Sequence, residues 1–327
     1  LEVENSSLLS FLCYYNKLKY KVFGCSDEKV RFPISFFSKF LTVKLKSPHL
    51  ELNDNEENVR KFINFIDSTC KRYGINLVIS FSEAITKTII AHKEELDIED
   101  IFPSIHSYQI LHDKEIFKMW IEKIKPKSFI VPKLLDAREL KFPCIVKPNV
   151  GWGGKYISIC HNISELKKSI KRITLAGRKP VIEEYIPFEH KVAINLLVDR
   201  KYRIKRLFMR KVKKEIEIKY VISELEKFFR KIGYFGFASP QFLIKDDKLY
   251  LNEINPRLSS IPFGLDFGAN FPQAFHQSIV EKKDIKKKLI FLPRDYPMNR
   301  FVVYLKTYAS KKDYLPLLIM IYKWFPG

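Results

Sequence analysis

The chain has 327 residues, enough for two or three packed units, and its 46% hydrophobic and 29% charged residues exclude a disordered or fibrous polypeptide. Lys and Arg number 58 against 37 Asp and Glu, and the formal net charge of +21 favours anionic partners such as nucleotides, phosphates, nucleic acids or membrane surfaces. The five cysteines (Cys13, Cys25, Cys70, Cys144, Cys160) are odd in number and lack a C-x-x-C pair, and no histidine stands near one at metal-ligand spacing, which argues against a disulfide framework or zinc site and for a reducing, cytoplasmic compartment.

At the start, residues 1–3 read as the end of a strand, so that the beginning of a domain is expected ahead of them; no secretion signal is visible. Ser6 or Ser7 can cap a helix carrying Leu8, Leu9, Phe11 and Leu12, which leads into the apolar stretch 20–23. Residues 53–55 offer caps for a second helix with Val59, Phe62, Ile63, Ile66 and Cys70 at helical spacing; Gly74 stops it, and 75–80 reads as a buried strand. This alternation predicts a parallel sheet up to about residue 108.

A helix is expected from Asp113, with Ile116, Phe117, Trp120, Ile121 and Ile124 on one side, ending before Pro126. Over 144–159 two strands flank a glycine-rich turn, followed by a helix at 164–173 and a strand at 181–186. Strands at 192–198 and 203–209 come next, then a helix over 221–231 stopped by Gly233, then a hairpin joining 235–244 to 249–255. No run reaches the roughly 18 apolar residues of a membrane span. The apolar stretch 314–325 carries Lys323 and is expected to be a docked terminal helix.

Residues 235–257 read FGFASPQFLIKDDKLYLNEINPR, with the turn at Asp246 and Asp247. Gln241 therefore falls within about one residue of directly opposite Glu253, where side chains on one face approach to about 5 Å. Asn255, two residues on, shares that face. Three oxygen-bearing side chains converging on one spot suit a hard cation such as magnesium, and Arg257 follows as a planar fork able to hold a phosphate. A solvated polar strand face is the alternative for the hairpin taken alone.

A second motif spans 142–157, FPCIVKPNVGWGGKYI. Lys147 at the end of a buried strand can reach phosphates as a point charge, and the turn with Gly151, Gly153 and Gly154 allows backbone N–H groups close approach; the alternative is an ordinary hairpin turn. The lysine precedes the glycines, so this is no P-loop. A third stretch, 181–189, VIEEYIPFE, is an apolar strand with adjacent acids of the kind that can serve an adenine ring. The basic stretch 201–214 reads as a solvated strand face or as a device that steers an acidic or phosphorylated substrate, with Arg210 toward the active site.

The hairpin with its E-x-N-P-R run resembles the metal-binding hairpin of the ATP-grasp superfamily, particularly its carbamoyl phosphate synthetase large-subunit branch. The V-K-P strand with its glycine flap and the 181–189 stretch occur in the family's order. The resemblance implies an α/β fold: a preceding parallel-sheet α/β domain over 1–108, a two-lobed ATP-grasp domain with mainly antiparallel sheets over 109–290 (lobes 109–184 and 185–290), and an extension over 291–327. It implies that Gln241, Glu253 and Asn255 hold magnesium, that Arg257 contacts the terminal phosphates, that Lys114 of the D-K pair and Lys147 reach phosphates, and that Lys155 belongs to the flap. It further implies a hinge at 183–189, with Glu183, Glu184 and Ile186 at the adenine edge and Glu189 at the ribose. Tyr156 stands where many members carry another glycine, and Phe188 where a glycine is usual.

The function so implied is an ADP-forming carboxylate–amine ligase using ATP and Mg2+, with Mn2+ as a substitute, acting through an acyl phosphate on small carboxylate and amine substrates. A homodimer is compatible with it, and no stable nucleic-acid complex is expected. The rival readings are carbamoyl phosphate-type phosphorylation of bicarbonate, and a non-enzymatic nucleotide- or nucleic-acid-binding module using the positive charge.

Overall fold

The computed structural model describes residues 6–31, 33–52, 54–136, 138–151, 153–210, 218–258, 268–292, 309 and 312–315. The strand expected at 1–3, Asn53, Trp152, residues 211–217 of the basic stretch and residues 316–325 of the expected terminal helix lie outside the described residues, as does the side chain of Arg210.

The N-terminal region comprises α1 (Ser6–Lys17), β1 (Phe23–Asp27), β2 (Val43–Ser47), α2 (Glu56–Tyr73) and α3 (Glu83–Ala91). Asn55 caps α2 by accepting from Asn58 N, and Gly74 ends it at φ +63°, donating its N–H to Cys70 O. Strands β1 and β2 pair in parallel, Phe23 opposite Val43 through Asp27 opposite Ser47. The strand expected at 75–80 forms no ladder among the described residues. Leu77, Val78 and Ile79 pack against the same apolar cluster as Phe11 and Phe62, so the run is apolar because its side chains are covered, while among the described residues no strand pairs with its backbone.

The remaining elements are α4 (Ile105–His112), α5 (Lys114–Ile121), β3 (Cys144–Pro148), β4 (Ser158–Cys160), α6 (Ile163–Leu175), β5 (Pro180–Glu184), β6 (His190–Val198), β7 (Ile204–Arg210), α7 (Ile218–Ile232), β8 (Gly236–Lys245), β9 (Lys248–Asn255), α8 (Phe271–Phe275) and β10 (Lys288–Leu292). They form a three-stranded antiparallel sheet, β4-β3-β5, and a five-stranded sheet, β10-β7-β6-β8-β9, antiparallel except for the β10–β7 pair. The fold is thus mixed α/β, with a parallel pair ahead of mainly antiparallel sheets. Among the described residues no helix is long and apolar enough to cross a membrane.

The two faces of the larger sheet bury different neighbours, as strand alternation requires. Leu197 and Phe208 belong to the cluster with α1, α2, α3 and α8, whereas Leu196, Val198, Leu207 and Met209 belong to the cluster with α5 and α7. Helix α7 presents Val221, Ile222, Leu225, Phe228, Phe229 and Ile232 to that second cluster. A third, smaller cluster lies between α6 and the three-stranded sheet and includes Cys144, Val146, Cys160, Leu166 and Ile173. In the C-terminal stretch Asp313 is buried and accepts from Ser38 Oγ at 2.6 Å.

Candidate active site

The β8–β9 hairpin places the expected cation ligands. Asp246 and Asp247 both have positive φ, 46° and 59°, the geometry of a two-residue turn whose twist matches the strands. From that turn the register runs Lys245 opposite Lys248 and on to Gln241 opposite Glu253 and Ser239 opposite Asn255. Asn255 Nδ2 donates to Glu253 Oε1 at 3.2 Å. The Oε1 atom of Gln241 is buried with no hydrogen-bond partner, an arrangement that costs about 1–3 kcal/mol unless something occupies it.

The carboxylate of Glu253 would be raised by its burial, but Lys114 and Lys147 outweigh that and hold it below its ordinary value, so it is ionised at neutral pH. An ionised carboxylate, a carboxamide and an unpartnered amide oxygen form an oxygen donor set that fits a hard divalent cation.

The lysines come from the opposite side. Asp113 caps α5 by accepting from Glu115 N and Ile116 N, and its second oxygen accepts from Asn149 Nδ2 at 2.6 Å. This ties the start of α5 to the end of β3, and Lys114 N donates to Asn149 O at 2.9 Å. Lys114 Nζ stands 3.7 Å from Glu253 Oε2 and donates to Gly151 O at 3.2 Å. Burial lowers the Lys114 pKa, opposed by Glu253.

One turn along α5, Lys118 is fully buried, and its Nζ donates to Pro132 O at 2.9 Å and to Glu183 Oε2. Lys147 Nζ lies 2.9 Å from Glu183 Oε1 and donates to Asn252 Oδ1 at 3.1 Å. Glu183 thus takes a lysine on each oxygen, and burial brings Lys118 down to about 8.

Among the expected residues, Lys114, Lys147, Glu183, Gln241, Glu253 and Asn255 gather at one place, and Gly151 joins through its carbonyl. Gly153 and Gly154 lie on the exposed turn at φ +67° and +73°, with exposed Lys155. Tyr156 also has positive φ, +63°, a conformation that glycine adopts more readily than a residue with a side chain; its ring lies 6.0 Å from the Arg172 guanidinium and 5.7 Å from that of Arg178. Along 183–189, Ile186 is buried, Glu184 is exposed and exposed Glu189 accepts from Asp246 N at 3.2 Å. Arg257 is drawn to Glu83, to which its Nε donates.

Four residues of this neighbourhood escaped the sequence reading: Lys118, Asn252, Glu83 and His112. Lys118 follows Lys114 by four residues, and that spacing on a helix was a usable signal. Asn252 carried none, because alternation puts it on the opposite face from Glu253. A bulge after Gln241, where the next paired residues are Phe242 and Leu251, leaves Asn252 unpaired and lets its amide meet Lys147.

No family model matches the chain. The carbamoyl phosphate synthase large chain of Archaeoglobus fulgidus is 22% identical over 215 residues, which cover 57% of this chain and 20% of that one. The same protein of Helicobacter pylori is 25% identical over 238 residues, 62% of this chain and 21% of that one. The chain therefore spans about a fifth of the length of these relatives. Among solved structures, biotin carboxylase from Campylobacter jejuni superposes with a TM-score of 0.67 at 14% identity, over 86% of this chain and 70% of that one. N5-carboxyaminoimidazole synthetase from Staphylococcus aureus, complexed with ADP, gives 0.64 at 16%, over 88% and 77%. Fold, ordered motifs and sequence relatives point the same way: the chain has the fold of these ATP-grasp structures and resembles in sequence one part of the carbamoyl phosphate synthase large chain.

Proposed function

We propose that the protein is an ATP- and magnesium-dependent ligase that activates a small carboxylate as an acyl phosphate for attack by an amine, releasing ADP and phosphate. The observation that carries this reading is the unpartnered, buried Gln241 Oε1 directly opposite the ionised Glu253, with Asn255 beside it and two lysines facing them. Gln241, Glu253 and Asn255 would hold magnesium, which neutralises charge on the terminal phosphates when bound.

Phosphoryl transfer asks positioning and charge neutralisation of the protein more than covalent help. Lys114 and Lys147, held by Glu253 and Glu183, supply fixed positive charge at the phosphates, and Arg257 would stabilise the transferred group. Gly153, Gly154 and Lys155 would form the flap that keeps water from the acyl phosphate, with residues 109–184 and 185–290 as the lobes that close on it. Ile186 and the 183–189 stretch would bound the adenine, Glu189 the ribose, and Arg210 the substrate acid.

The test is a screen of amino acids and small carboxylates, bicarbonate included, for ADP and phosphate release, followed by hydroxylamine trapping. An acyl phosphate gives a hydroxamate that depends on ATP, magnesium and the acid. Release of AMP and pyrophosphate instead would overturn the reaction type, since attack would then fall on the α phosphate. Turnover with bicarbonate alone would favour the carbamoyl phosphate-type reading.

A further inference from the structure

Glu83 belongs to the N-terminal region, far in sequence from the hairpin, yet its side chain is 10% exposed and meets the residue that ends the E-x-N-P-R run. Arg257 Nε donates to Glu83 Oε1, while His112 Nε2 stands 3.4 Å from Glu83 Oε2. His112 and Tyr108 stack with ring centroids 5.5 Å apart, and Tyr108 Oη donates to Glu83 O at 3.3 Å. The carboxylate is therefore held by Arg257 with His112 of α4 beside it, while Tyr108 of the same helix holds the Glu83 backbone.

This has a geometric consequence for the guanidinium. Arg257 follows Asn255 by two residues, so its backbone is set by the strand that carries the cation ligands. Its Nε is committed to Glu83, and its other hydrogen bond among the described residues is a long one, Nη1 to Leu258 O at 3.4 Å. A planar fork held through Nε presents its Nη1/Nη2 edge in one orientation instead of sampling many rotamers. Holding a flexible, rotamer-rich side chain in its bound geometry removes an ordering cost from anion binding.

We propose that Glu83 is a positioning residue of the active site: it orients Arg257 toward the terminal phosphate, so that the N-terminal region supplies a working part of the phosphoryl-transfer site. The inference rests on the reading of Arg257 as a phosphate contact. A carboxylate that merely stapled α3 to the strand end would affect stability without telling one nucleotide from another.

The experiment is a double-mutant cycle on the full chain, measuring calorimetric affinities for magnesium–AMP-PNP and magnesium–ADP in wild type, Glu83→Gln, Arg257→Ala and the double variant. Selective loss of the AMP-PNP over ADP preference in Glu83→Gln, by about tenfold, with ADP affinity within twofold of wild type and no further loss in the double variant, is the expected result. Glu83→Asp, which keeps the charge but is one methylene shorter, should lose only part of the preference, and it carries the test if Glu83→Gln does not fold. Equal losses for both nucleotides, an unchanged preference in the Glu83 variants, or fully additive effects would overturn the positioning role. If Arg257→Ala itself leaves the preference intact, or wild type binds neither nucleotide, the reading of the site fails and the role of Glu83 with it.

Discussion

Glu183 lies between two lysines, with Lys147 Nζ 2.9 Å from its Oε1 and Lys118 on its Oε2, all three side chains buried. Removing the central charge should be far worse than removing a flanking one. Glu183→Gln leaves two buried ammonium groups without a carboxylate, and breaking a buried pair in this way costs about 3–5 kcal/mol. Lys118→Met keeps the Lys147 pair and should cost clearly less. Urea unfolding of both variants decides the order, and equal losses would mean that Lys118 and not Glu183 anchors the cluster.

The pH dependence of stability should carry the mark of Glu83. Burial alone would raise its pKa, but the contacts with His112 and Arg257 outweigh burial and bring it from 4.5 to about 2. The folded value lies below the unfolded one, so between these limits the unfolded chain binds more protons and stability falls as pH falls. The contribution, on the order of 3 kcal/mol, is complete above pH 4.5 and lost toward pH 2. Urea midpoints from pH 6 down to about pH 2 should therefore drop less steeply in Glu83→Gln than in wild type. Parallel curves would show that the carboxylate is not held as the geometry indicates.

Lys114 and Lys147 should each contribute to nucleotide affinity. Substituting either by alanine removes a charge-assisted contact of roughly 1.5–3 kcal/mol, which reads as a fall of one to two orders of magnitude in ATP affinity by calorimetry. Their partners make the two variants unequal in stability. Lys147→Ala leaves Glu183 with Lys118, whereas Lys114→Ala leaves Glu253 with Asn255 and a more distant Lys147. Unchanged ATP affinity in both would mean that the nucleotide lies elsewhere.

Much of this site could be read from the sequence because strand geometry is local. The Asp-Asp turn placed the hairpin and the two-residue period put Glu253 and Asn255 on one face, to within one residue of Gln241; the bulge after Gln241 then sets it directly opposite Glu253. Asn252 was hidden because a single bulge changes which residues face the site, and no local pattern announces it. Glu83 and His112 were hidden for another reason: the contact of Glu83 with Arg257, and of His112 with Glu83, is made by long-range packing of the N-terminal region and α4 near the larger sheet, and such packing leaves no periodic trace. The run 75–80 shows the converse limit. Apolar composition reports that side chains are covered but cannot say whether a neighbouring strand edge is present.

The cation ligands give the most direct prediction. Glu253→Gln keeps the shape of the side chain and removes its charge, and Asn255→Ala removes both a neutral oxygen donor and the hydrogen bond to Glu253. Both should abolish ADP release while far-ultraviolet circular dichroism remains that of the wild type, because neither side chain belongs to the apolar clusters that hold the sheets. Gln241→Leu is the more discriminating variant. Its amide oxygen is buried without a partner, so in the absence of a cation its removal takes away an unsatisfied group and should leave stability equal or slightly raised. With magnesium and nucleotide present the same variant should gain less in thermal unfolding temperature than wild type, since ligand binding stabilises only in proportion to affinity. A variant that is destabilised without ligand yet still gains as much as wild type from magnesium–ATP would show that Gln241 serves the sheet and not the cation.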